Sequence, residues 1–275
     1  SASAIVTIDY VTVGNAGNAA DTTGYGAVSY AYQIGKYEVT NAQYGEFLNA
    51  AAKTDSYNLY NSSMSSFGIT RGGSSGSYTY SVTTALANRP VVYVSWFDAA
   101  RMANWMMNGQ GSGSTETGAY TLNNAISGIV LANAGAQVYI PTENEWYKAA
   151  YYNAASQTYS IHANGTNGIT TADANYNSAA STDVGSFSSD PSSYGTFDQG
   201  GNVWEWNDAV IGSSRGLRGG SWDLNAFYLA SSVRYDLGPS VEYGLVGFRL
   251  ASVPEPSSLV LSVLASGVVL LRRKR

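Results

Sequence analysis

The 275 residues are 44% hydrophobic and only 12% charged, about half the globular charged average of roughly 25%, so Ser, Thr, Asn, Gly and Tyr must supply the polar surface and a highly charged disordered chain is excluded. Cysteine is absent and histidine occurs once, at His162, which removes disulfides, thiolate metal sites, cysteine nucleophiles and any site built on two imidazoles. The formal charge of −5 hides a more acidic body: residues 1–252 hold 10 Lys and Arg against 18 Asp and Glu, and four basic residues close the chain. Such a body is not drawn to nucleic acid or to anionic lipid, but it can attract cations.

In chain order, Ser1-Ala-Ser-Ala has the small-residue composition found around a signal-peptide cleavage site, so the chain reads as processed and exported. Thr40-Asn-Ala-Gln43 is a capping box, and Tyr44, Phe47, Leu48 and Ala51 after it lie on one face of a predicted helix. Residues 62–77 and 111–118 read as loops or insertions, and residues 91–94 and 138–140 as brief strands. Ser95-Trp-Phe-Asp98 opens a second helix with Ala99, Met102, Ala103 and Met106 inward, and Thr142-Glu-Asn-Glu145 a third with Trp146, Ala149 and Ala150 inward. The class is α+β with three short helices, small antiparallel sheets and much irregular backbone.

Glu143 and Glu145 are close enough to suggest paired carboxylates, but the capping position of Glu145 gives it a structural role. His162 lies among Gly and Asn and is expected on an exposed loop rather than in a catalytic triad. No Gly-rich stretch is followed by Lys-Ser or Lys-Thr, so no phosphate-binding loop is indicated. Many of the 22 tyrosines are expected half-buried on strands, with a glycan-stacking surface as the alternative.

Asp198-Gln-Gly-Gly-Asn-Val-Trp-Glu-Trp206 places two carboxylates around a Gly pair. This arrangement can present oxygens to a hard cation such as calcium, which takes six to eight oxygen ligands, or it can be a surface turn leading into two core tryptophans. At the other end, Val253-Pro-Glu-Pro-Ser-Ser258 is a stiff spacer before the uncharged run 259–271 and the basic terminus Arg272-Arg-Lys-Arg275. A lone bilayer span needs about 20 apolar residues, so this run is short for one. The chain divides into a domain of residues 1–252 and a tail of residues 253–275.

Six ordered motifs carry a family resemblance: Tyr32-Gln-Ile-Gly-Lys-Tyr-Glu-Val-Thr-Asn-Ala-Gln-Tyr44, Arg89-Pro-Val-Val-Tyr-Val-Ser-Trp96, Ile140-Pro-Thr-Glu-Asn-Glu-Trp146, Gly201-Asn-Val-Trp-Glu-Trp206, Arg218-Gly-Gly-Ser-Trp222 and Val246-Gly-Phe-Arg-Leu250. Together they resemble the formylglycine-generating enzyme family, the sulfatase-modifying factor domain, whose fold is similar to that of C-type lectins. The resemblance implies structural calcium held by the Asp198 and Glu205 side chains and the Gly201 and Val203 carbonyls. Asn175 and Tyr176 match the first half of a second family calcium site, although the segment before Val184-Gly-Ser-Phe187 is shortened.

The oxidising members bind copper through two cysteines, and Leu224 and Leu229 stand approximately where these would lie, so no copper is expected. A second branch holds iron with three histidines, which one His cannot supply. The tail, with Pro254, Glu255 and Pro256, resembles the PEP-CTERM sorting signal of Gram-negative bacteria. That resemblance implies recognition by exosortase-type machinery at the inner membrane, transient membrane contact through residues 259–271, and delivery to the cell surface or matrix.

The expectation is a non-catalytic, calcium-stabilised binding or structural module of the cell surface or exopolysaccharide matrix. Its candidate pocket for a polysaccharide or peptide is formed by Trp222, Asp223, Leu224, Leu229 and Arg234. The rivals are an enzyme using an unrecognised cofactor and a self-assembling matrix protein.

Overall fold

The computed structural model describes residues 5–253, so the expected sorting signal at Pro254, Glu255 and Pro256 and the run 259–271 lie outside the described residues. The elements in chain order begin with strands β1 (Tyr10–Val13) and β2 (Tyr32–Gly35), helix α1 (Asn41–Ala51), and strands β3 (Ile69–Gly72) and β4 (Thr79–Val82). Helix α2 (Trp96–Met107), strand β5 (Val138–Tyr139), helix α3 (Glu143–Tyr151) and the short strands β6 (Tyr152–Asn153) and β7 (Thr158–Tyr159) follow. The last part holds β8 (Trp204–Ile211), β9 (Ser214–Arg218), β10 (Tyr235–Leu237), β11 (Val246–Gly247) and β12 (Ala251–Ser252).

All three helices start where their capping boxes predict. Thr40, Ser95 and Thr142 each accept from the backbone N–H three residues on, while the side chains of Gln43, Asp98 and Glu145 accept from the cap backbone in return. Each such cap is worth about 1 kcal/mol. The predicted inward faces are buried at Tyr44, Phe47 and Leu48 on α1, Ala99, Met102 and Ala103 on α2, and Trp146, Ala149 and Ala150 on α3, while the predicted Ala51 and Met106 near the helix ends are half-buried against the core. The α1 and α2 faces and the tryptophans of β8 close one main core, in which Trp206 Nε1 donates to the Val94 carbonyl at 3.0 Å. The α3 face packs into two smaller clusters, Ala149 with Val13, Tyr32 and Ile34, and Trp146 and Ala150 with Tyr147, Tyr151 and Ala163.

Two four-stranded sheets frame that core, in the orders β1-β2-β12-β5 and β10-β9-β8-β11, with separate hairpins β3-β4 and β6-β7. Pairing is antiparallel except between β11 and β8, which run parallel with Val246 opposite Trp204 and Gly247 opposite Glu205. The small sheets are thus mostly antiparallel as expected, and the one parallel pair carries the segment that follows Gly247 alongside Glu205.

Residues 91–94 are not a strand. Tyr93 sits at φ 59°, a left-handed conformation that a pleated ladder cannot continue, although Val91, Val92 and Val94 are buried as core residues. The segment 62–77 is more ordered than a loop: a 3₁₀ turn spans Ser62–Ser66 and β3 follows it. Among the described residues no helix is long and apolar enough to cross a membrane.

Candidate functional site

The turn leading into β8 is tightly folded. Asp198, Gly201 and Asn202 all adopt left-handed φ angles of 61°, 88° and 57°, which Asp and Asn tolerate better than other side chains. Gly201 also packs too closely for any side chain, since a Cβ there would lie 2.4 Å from the Asn175 carbonyl oxygen. The Asn202 N–H donates to that carbonyl at 2.9 Å, Asn175 Nδ2 donates to Asn202 Oδ1 at 3.2 Å, and Asn202 Nδ2 donates to Glu38 Oε1 at 3.0 Å.

Glu205 leaves this turn on β8 with both oxygens engaged. Arg249 donates Nε to Oε2 at 2.6 Å and Nη2 to Oε1 at 2.7 Å, and Trp146 Nε1 donates to Oε2 at 2.8 Å. The remaining Arg249 donors reach the Gly35, Lys36 and Phe197 carbonyls, so one fully buried guanidinium fastens the end of β2, the approach to the turn and β8 together. Close guanidinium contact is a poor setting for a cation on Glu205.

Glu38 is different: it is buried, and its Oε2 has no partner. Burial and the neighbouring Asp198 charge hold the Glu38 carboxyl well above the usual carboxylate range, outweighing the opposing pull of Arg249. Asp198 Oδ2 accepts from the Gly185 N–H at 2.6 Å, and burial raises its carboxyl to about 6. A void of about 20 Å³ is lined by Asp198 with Asp173, Asp190 and Gln199, room for one water or ion. Glu38, Asp198 and Glu205 thus face the one Arg249 guanidinium; with Glu205 taken, Glu38 and Asp198 are the carboxylates that could hold a cation, although Glu38 does not border that void. No three His, Cys, Asp or Glu side chains among the described residues form a ready-made ligand cluster, so backbone carbonyls or water would have to complete a calcium shell.

The residues of the expected second calcium site are spent on structure. Asn175 Nδ2 also bonds the Ala180 carbonyl, and Tyr176 packs with Ala174 and Leu229 while its hydroxyl donates to the Ile169 carbonyl.

The expected pocket residues do not line one cavity. Trp222 borders a cleft of about 200 Å³ with Phe67, Leu86, Arg89 and Ser181. Asp223 is exposed and accepts from Ser221 Oγ, Leu224 packs on the main core, and Leu229 is fully buried in a small cluster of its own. Arg234 instead grips Glu143 with bonds of 2.7 to 3.1 Å, and Arg218 shares the same carboxylate from the other side. Glu143 is therefore an arginine clamp, and Glu145 is the cap acceptor with Tyr30 and Tyr139 on its second oxygen. His162 is buried rather than exposed, because the backbone folds back on itself from His162 N–H to the Thr166 carbonyl. Its Nδ1 has no partner, and burial lowers its basicity.

A model of the sulfatase-modifying factor enzyme 1-like domain matches residues 12–253. The chain belongs to this family. Two solved structures share the fold: CarF, at 22% identity and TM-score 0.63 over 91% of this chain and 100% of that one, and variable protein 1 of Treponema denticola, at 24% and 0.61 over 89% and 95%. No curated protein matches the sequence significantly. The sulfatase-modifying factor domain therefore has the expected α+β, formylglycine-generating-enzyme-like and C-type-lectin-like fold.

Two residues of this sulfatase-modifying factor domain were missed by reading the sequence. Glu38 lies inside a quoted motif, but nothing in its local pattern links it to Asp198. Arg89 opens another motif, and only the folded chain sets it beside Trp222.

Proposed function

We propose that this domain is a non-catalytic binding module of the cell surface or exopolysaccharide matrix, stabilised by calcium and delivered by its C-terminal sorting tail. One observation carries the reading: Leu224 and Leu229 stand at the approximate copper-ligand positions of the family, and Leu229 is sealed in an apolar cluster with Ala174 and Tyr176. Leucine offers no lone pair to a soft metal. What persists beside these positions is a cleft with an aromatic wall, the kind of surface that takes a ligand without transforming it.

The calcium part rests on the unpartnered Glu38 oxygen and on Asp198. A ligand that binds only the folded state at about 100 times its Kd adds roughly 2.7 kcal/mol of stability. Calcium should therefore raise the melting temperature of the wild type, and Glu38→Gln with Asp198→Asn should abolish that rise. An unchanged wild-type melting temperature in calcium and in chelator rules out the metal assignment. For the binding role, the full chain is passed over exopolysaccharide extracted from producing cells, with calcium and with chelator. Calcium-dependent retention supports the module, whereas no retention in either condition, or oxygen consumption on a thiol peptide by a copper-loaded sample, defeats it.

A further inference from the structure

We propose that the Arg89–Trp222 cleft binds a carboxylate-bearing sugar, with the guanidinium holding the carboxylate and the indole packing on the ring. The inference rests on the binding reading above and names the ligand chemistry of that surface.

Seven arginines fall within the described residues, and six are ion-paired: Arg71 with Asp55, Arg101 with Glu116, Arg215 with Asp208, Arg218 and Arg234 with Glu143, and Arg249 with Glu205. Arg89 is the exception. Its Nε is buried without an acceptor, and the other residues bordering the cleft bring no carboxylate to it, among them Ser66, Phe67, Leu86, Ser181 and Trp222. Buried guanidinium nitrogens without a hydrogen-bond acceptor also occur on Arg101, Arg215 and Arg218, so what sets Arg89 apart is that it borders the cleft with no carboxylate beside it. Its Nη groups, rather than the occluded Nε, are what an external anion would reach.

The walls are held independently of any ligand. Asn41 Nδ2 donates to the Phe67 carbonyl at 2.8 Å and to the Leu86 carbonyl at 2.9 Å, the Asn41 N–H donates to the Arg89 carbonyl at 2.9 Å, and the Ser178 N–H donates to the Trp222 carbonyl at 2.7 Å. The cleft is thus preorganised, which lowers the ordering cost of binding.

The lining selects among anions. A planar guanidinium fork matches a carboxylate in two parallel bonds. No second cation borders the cleft, so a phosphate dianion would be only half neutralised. Trp222 supplies a flat apolar surface of the kind that covers a sugar ring, and Ser66 and Ser181 are hydroxyl partners for its substituents. At about 200 Å³ the cleft suits one ring and its carboxylate rather than a buried oligomer.

The test follows the Trp222 indole resonance by NMR while the calcium-loaded full chain is titrated with sodium glucuronate, glucose or inorganic phosphate at matched ionic strength. Glucuronate should shift the resonance saturably, and glucose and phosphate should not. Arg89→Gln should weaken glucuronate binding at least tenfold with an unchanged melting temperature, and Arg89→Lys should recover only part of it. Equal binding by glucose or phosphate, no saturation by glucuronate, or undiminished binding to Arg89→Gln overturns the proposal. If Arg89→Gln is still retained on exopolysaccharide as strongly as the wild type, this inference fails while the binding module stands; if the wild type itself is not retained, the binding module fails too.

Discussion

At the acidic corner Arg249 is fully buried and finds an acceptor for every N–H, two on Glu205 and the rest on the Gly35, Lys36 and Phe197 backbone carbonyls. At the cleft beside Trp222, Arg89 forms no ion pair and leaves a buried Nε empty. The same side chain is a fastener in one place and an open socket in the other. The difference lies in the surroundings: buried backbone carbonyls need donors, and at the corner the Gly35, Lys36 and Phe197 carbonyls converge with the Glu205 carboxylate on one guanidinium. At the cleft Asn41 already takes the Phe67 and Leu86 carbonyls, which leaves the arginine unspent. A protein with so few charges places most of them where loops need fastening, so a cation outside that scheme stands out.

Two perturbations probe the contrast directly, and a third, at a buried acid elsewhere, gives a reference between them. The largest effect is expected from Arg249→Met, which strands Glu205 without its partner and should cost about 3–5 kcal/mol in urea unfolding; Glu205→Gln in the same chain should recover part of the loss. A cost below about 1 kcal/mol would mean that the corner is held by packing alone.

An intermediate effect should come from pH at a buried acid outside both regions. Asp98 is raised to about 7 by burial and by the Glu242 charge, against the lowering influence of Ser95 and Arg101. Its folded value lies above the unfolded value of about 3.9, so the folded state binds the proton more tightly and stability falls as pH rises from about 4 to about 7. Asp208, also raised to about 7 by burial, acts in the same direction. The melting temperature should therefore be higher at pH 5 than at pH 8, and Asp98→Asn, which keeps an acceptor for the Ser95 cap, should reduce that slope. An unaltered slope in the variant would remove Asp98 as its source.

The smallest effect sharpens the contrast from the other side. Arg89→Gln should change unfolding free energy by less than about 0.5 kcal/mol, as for a side chain with no structural partner. A loss comparable to that of Arg249→Met would show that Arg89 is a second fastener.

Much of the fold was legible because its signals are local. The boxes at Thr40, Ser95 and Thr142 operate within three residues, so helix starts could be read without any tertiary information. The same holds for the tight turn at residues 198–202, where glycine and Asn or Asp are the residues that accept left-handed φ. Tyr93 shows the limit: an apolar run of strand composition was broken by one left-handed residue that its own side chain does not announce. His162 shows another, since polar neighbours suggested exposure while the returning backbone buried it.

Residue identities alone therefore determined the helices, the turn, the absence of cysteine and paired-histidine chemistry, and Asp198 and Glu205, but not Glu38, as carboxylates to consider for a cation. Tertiary structure decided which of those carboxylates were already taken. Glu205 meets Arg249 across 44 positions because β11 runs parallel to β8, and Glu38 meets Asn202 across 164. Whether a charged group is a fastener or a binding site depends on the partners left over after folding, and partners that distant are supplied only by the tertiary fold.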